Sequence, residues 1–124
     1  MQVFKTKWFA KWASNQSISD SALSAAVAEM EQGLVDAQLG GQIVKKRVAL
    51  PGKGKRSGSR TLVAYRRREK AFFLYGFAKN ERGNISLKEK EALKLLATQF
   101  LSYTRPALTK AIKAGELIEV KDDG

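Results

Sequence analysis

The chain has 124 residues, 44% hydrophobic and 28% charged, which is the composition of one folded domain and excludes a disordered or low-complexity segment. It holds no cysteine and no histidine, which excludes disulfides, thiolate chemistry, thiolate metal sites and the commonest general base. Its net charge of +11 points to a polyanionic partner, above all nucleic-acid phosphates.

In chain order, Gln2–Lys5 reads as a short strand carrying Val3 and Phe4, and Lys7–Ala13 as a short helix. Lys5, Lys7 and Lys11 interrupt this N-terminus, so it has no signal-peptide core, and a cytoplasmic protein with no membrane contact is expected. Trp8 and Trp12, four residues apart, share a helix face beside Phe9. Tryptophans can stack on bases, but at helical spacing the stronger reading is an aromatic anchor in the core.

Ser19 is a good N-cap for the next helix, with Asp20 in the first turn where it complements the helix dipole. Leu23, Ala26, Val27, Met30 and Leu34 supply its buried stripe. Residues 12–44 contain no Lys or Arg but do contain Asp20, Glu29, Glu31 and Asp36, so this helix is scaffold rather than a nucleic-acid reader.

The period then changes to that of strands. Ile43–Leu50, Ser59–Arg67 and Ala71–Lys79 are three strands, and their short connections imply an antiparallel meander. The last is apolar on both faces, as a covered central strand should be. At eight residues, its apolar run Ala71–Ala78 is far too short to span a membrane. Ser86 and Glu89 form a capping box opening a long helix, whose stripe is Leu93, Leu96, Ala97, Phe100 and Leu101. Pro106–Ala114 is a second short helix, closed by Gly115, and Leu117–Val120 a last apolar segment. The expected fold is a single α+β domain over residues 1–124: an antiparallel β-meander sheet with N-terminal helices and a C-terminal helical pair packed on it, mainly on one side.

The charge is concentrated. Lys45–Lys70 holds eleven Lys/Arg and one acid, Glu69, a net +10 of the chain's +11. Lys45 and Arg47 alternate to one strand face and Lys46 to the other, and Arg60 opens the neighbouring strand. Lys53, Lys55 and Arg56 lie in the intervening Gly-rich loop, and Lys79 closes the third strand. The loop lacks the G-x-x-x-x-G-K-[ST] spacing of a nucleotide-binding P-loop, and no acidic pair or H-E-x-x-H motif offers a metal site. What remains is a dense set of forked and point-like cations suited to backbone phosphates.

The block IVKKRVALPGKGKRSGSRTLVAYRRREKAFFLYGFAKNERGNIS resembles the RelE/HigB-like toxins of bacterial type II toxin–antitoxin systems, and the resemblance runs from about Phe4 to Val120. It implies a RelE-like fold and ribosome-dependent endoribonuclease cleavage of messenger RNA, which inhibits translation. It also implies neutralisation by a cognate antitoxin of helix-turn-helix type, with no small-molecule cofactor. Carried over residue by residue, it places Lys45, Lys46, Arg47, Arg60 and Lys79 in the catalytic set. Lys53, Lys55, Arg56, Arg82 and Asn84 fall in the RNA-binding set, with Arg82 as the register alternative to Lys79. The C-terminal tyrosine of that family has no counterpart at Asn84-Ile85-Ser86, which leaves the general base open. Two other functions remain: a ParE-like gyrase poison, since the related ParE toxins share the implied fold, and a non-catalytic basic RNA-binding protein.

Overall fold

The alternating and apolar runs build one six-stranded sheet, and every helix among the described residues packs against it. The computed structural model describes residues 1–52 and 58–121. Its elements in order are β1 (Gln2–Thr6), α1 (Lys7–Asn15), α2 (Asp20–Glu31), β2 (Ala37–Gly40), β3 (Ile43–Val48), β4 (Ser59–Arg66), β5 (Lys70–Ala78), α3 (Leu87–Leu101), α4 (Arg105–Lys113) and β6 (Leu117–Glu119). The sheet order is β2-β3-β4-β5-β1-β6. The meander β2 to β5 is antiparallel, β1 returns parallel to β5, and β6 closes the edge antiparallel to β1.

Local chemistry sets the boundaries. Thr6, Ser19, Ser86 and Thr104 cap the four helices, each side-chain oxygen accepting from the backbone N–H three residues on. The Ser86–Glu89 capping box is present in both directions. α2 stops at Glu31, and Gly33 takes a left-handed φ of 88°. Leu34 therefore leaves the predicted stripe and is 54% exposed. β2, which has little apolar content of its own, forms because Gly41 and Gln42, both at positive φ, make a two-residue hairpin that folds it back on β3.

The helices do not gather on one side of the sheet as expected; they cover both faces. The cause is β5, whose Ala71 and Phe73 feed one core and whose Phe72 and Leu74 feed the other. The first face carries Val44, Val63 and Phe73 under α1 and α2, with Phe9, Leu23, Val27 and Met30 packed on them. The second carries Ile43, Leu62, Ala64 and Phe72 under α3 and α4, with Ala97, Phe100, Leu101 and Leu108 packed on them. Burying each of the Val, Leu, Ile, Phe and Met side chains among these contributes roughly 1.5–3 kcal/mol, so neither helical layer is dispensable. Among the described residues no helix is long and apolar enough to cross a membrane.

Candidate nucleic-acid interface

The acidic segment ahead of the basic stretch acts as its counter-charge. On α2 and just beyond it, four acids take up part of the positive excess. Asp20 pairs with Lys5 at 2.6 Å and Glu29 with Lys46 at 2.8 Å. Glu31 accepts from the Arg68 backbone N–H at 3.1 Å and from the Tyr65 hydroxyl, while its own carbonyl accepts from Arg67 at 3.1 Å. Asp36 accepts from the Arg47 backbone N–H at 2.5 Å and from its Nε at 2.7 Å. Arg66 reaches the Leu101 carbonyl at the C-terminus of α3, and Lys70 the Tyr103 carbonyl. These contacts hold the hairpin and helix ends in place and occupy those cations structurally.

Lys46 is a correction to the candidate site. It projects to the first face, is 5% exposed, and donates to the Leu34 carbonyl at 2.8 Å as well as pairing with Glu29. From there it cannot reach the groups on the second face. Lys46→Met should cost about 1–2 kcal/mol in urea unfolding, less than a fully buried pair would because Glu29 is one-third exposed. Polyanion binding should be retained. Loss of binding at unchanged stability would return Lys46 to the site.

The second face brings Lys45, Arg47 and Arg60 together. Cross-strand partners share a face, so the registers give two adjacent rows: Arg47–Arg60–Phe77 and Lys45–Leu62–Tyr75. Neighbouring strands lie about 4.8 Å apart, so each row spans about 10 Å. α3 covers the lower part of this face, where Phe100 stacks on Phe72 at 5.4 Å and Phe72 on Phe4 at 5.1 Å, forming one column. Lys45, Arg47, Arg60 and Tyr75 stay partly open to solvent. Arg60 is the most telling of them. Its Nη1 is buried and has no hydrogen-bond partner among the described residues, although Arg47 stands directly opposite. Asp36 offsets the charge of Arg47, but an unsatisfied buried donor on Arg60 is costly unless an anion arrives.

Arg82, from the loop after β5, closes the other side. Its guanidinium makes a two-pronged pair with Glu89 at 2.6 and 3.0 Å and donates from Nε to the Asn84 carbonyl at 2.9 Å. It also lies 5.7 Å over the Phe77 ring and 3.4 Å from the Tyr75 hydroxyl. The hydrogen bond from Arg82, helped by the Ser86 backbone N–H, holds the Glu89 carboxyl down at about 2, and the Arg82 guanidinium is pushed up by the same bond. A carboxylate depressed on folding stabilises above its ordinary value of 4.5 and loses that contribution as pH falls toward 2. Stability should therefore decline in this acid window, and Glu89→Gln should flatten that part of a urea-midpoint profile against pH.

Of the remaining expectations, Lys79 is exposed beyond the end of β5, where its backbone N–H meets the Gly58 carbonyl. Arg82, rather than Lys79, stands over the aromatic end of the row. Asn84 contributes through its carbonyl, which positions Arg82, and its Oδ1 accepts from the Ile85 N–H. Lys53, Lys55 and Arg56 lie outside the described residues. Sequence reasoning missed Tyr75 and Phe77 as walls of the site, Asp36 as the clamp on Arg47, and the second duty of Glu89 beyond its cap.

Among the described residues no group of three or more acidic side chains could hold a metal ion. What the arrangement offers is cations around an aromatic floor, the combination that grips a single nucleic-acid strand. No curated protein matches the chain. A family model described as "RelE toxin of RelE / RelB toxin-antitoxin system" matches residues 1–120.

Proposed function

Because this chain belongs to the RelE toxin family, and so is a toxin of a toxin–antitoxin system with an antitoxin as its partner, we propose that its second sheet face cuts messenger RNA on the cytoplasmic ribosome. The observation that carries the reading is Arg60, whose buried Nη1 lacks a hydrogen-bond partner among the described residues and which lies in register with Arg47, itself held by Asp36. A scissile phosphate supplies the missing acceptor.

In this chemistry the ribose 2′-oxygen bonds to the adjacent phosphorus and the bond to the 5′-oxygen breaks. The products are a 2′,3′-cyclic phosphate and a 5′-hydroxyl. Charge builds on the non-bridging oxygens, where Arg60 can donate two parallel hydrogen bonds, and Arg47 and Arg82 flank it. Lys45 and Tyr75, bracketing Leu62 in the next row, are the candidate proton-bearing groups among the described residues. A chain without histidine has no ready imidazole base, so much of the acceleration must come from posing the 2′-oxygen in line. That is the physical reason to place the reaction on the ribosome, which fixes the strand.

Inducing the chain in growing cells and mapping RNA 5′ ends tests this. Cuts bearing 5′-hydroxyls should appear inside translated messages and vanish from a message whose start codon is removed. DNA damage without RNA cuts, or growth arrest without either, would overturn the reading.

A further inference from the structure

The two tryptophans on α1 have separate jobs. α1 begins where β1 ends and lies along the upper part of β5. Trp12 turns to the first face, where its ring fills the space above Gly76. Trp8, one turn earlier, turns to the second face and stacks on Tyr75, with ring centroids 4.5 Å apart and planes at 21°. It is nevertheless 49% exposed. One face of the indole is therefore held and much of the ring meets solvent. Beside it runs an open groove of about 480 Å³, floored by Leu74, Leu96 and Phe100, with Lys7 and Glu116 at its rim. A large aromatic ring kept rigid but half uncovered has little value as core.

We propose that Trp8, backed by Tyr75, is a nucleobase-stacking subsite, occupied by an unpaired base of the RNA strand whose phosphates lie on the Arg47–Arg60 row. The inference rests on the RNA-cutting reading of that row and extends it. Tyr75 joins the two places. Its ring backs Trp8, its hydroxyl meets Arg82, and it tilts against Phe77, the row partner of Arg60, at 6.3 Å. A strand crossing from cations to groove keeps its phosphates over arginines and offers a base to the indole. The base must be unpaired, because a duplex hides its ring faces. The rim carries one cation and one acid, so the groove itself attracts no phosphate, and its apolar floor suits a base better than a charged group.

Indole emission provides the test, since the chain has two tryptophans. The protein is titrated at low salt with a single-stranded oligoribonucleotide, and separately with inorganic polyphosphate of equal charge. RNA should quench emission, while polyphosphate should bind without quenching. In Trp8→Phe the remaining Trp12 signal should not respond to RNA. Trp8→Leu keeps an apolar groove wall without a ring, and should weaken binding of labelled RNA roughly five- to hundredfold at a parental melting temperature. Absence of RNA quenching, equal quenching by polyphosphate, or parental RNA affinity in Trp8→Leu overturns the subsite. So does a change in self-association or antitoxin binding in Trp8→Leu while RNA affinity stands, since the groove then belongs to a protein partner. Failure here leaves cleaved messages in cells intact, whereas failure of the cleavage reading shows as uncut messages, so the two are separable.

Discussion

Arg60→Ala is expected to reduce message cleavage by a factor of about 10²–10³ and to relieve growth arrest, with the fold intact. Arg60 sits at the centre of its row, between Arg47 and Phe77, on a strand paired along both edges. Its side chain is partly exposed, and its buried Nη1 has no partner among the described residues. Removing it takes away an unsatisfied buried donor. Urea stability should therefore stay within about 1 kcal/mol of the parent, or rise. Activity behaves oppositely, because the forked guanidinium is best placed to meet two oxygens of a pentacoordinate phosphorus. Arg60→Lys restores the charge without the fork and should recover only part of the rate. A well-expressed Arg60→Ala protein that still arrests growth and cuts messages fully would sink this assignment.

Much of the fold was legible because helix caps and strand period are local signals. Ser19, Ser86 and Glu89 announced two helices, and the mid-chain alternation announced β3, β4 and β5. β2 was not legible, because a two-residue turn rather than its own side chains creates it. The helices' distribution over both faces was also missed, although the doubly apolar β5 carried the signal.

The site was half legible. Alternation separated Lys45 and Arg47 from Lys46, and the structure shows that this parity, not proximity in sequence, decides which lysine meets water. Tyr75 could not be placed by parity. Val63 pairs with Phe73 but Leu62 pairs with Tyr75, so Leu74 is an extra residue in the strand. Without that bulge, Tyr75 would follow Phe73 to the first face, and the Lys45–Leu62–Tyr75 row would not exist. The balance of the basic stretch was likewise invisible. Lys46, Arg47, Arg67 and Arg68 are held by acidic residues 11 to 37 positions earlier, a pairing fixed by tertiary contact alone.

Gly76→Ala should be among the most damaging single-methyl changes in the chain, costing about 2–3 kcal/mol, or roughly 10 °C in melting temperature. A glycine inside a strand ordinarily weakens it, so its presence in β5 needs a cause. The cause is Trp12. A Cβ at position 76 would stand 2.3 Å from one ring carbon of Trp12 and 2.6 Å from two others. The ring is also tilted against Phe9 at 5.4 Å, and Phe9 in turn packs on Phe73, so it has no easy way to swing aside. Relief requires α1 to lift from β5. Since α1 also carries Trp8, the same methyl should loosen the Trp8–Tyr75 stack and reduce RNA quenching, although residue 76 lies on the opposite face from the cations. Shrinking the ring should rescue it. In a double-mutant cycle, Gly76→Ala with Trp12→Leu should be less destabilised than the sum of the two single changes, by about 1–3 kcal/mol. A Gly76→Ala protein that melts with the parent, or strictly additive changes, would mean that α1 tolerates displacement and that Trp8 owes its position to Tyr75 alone.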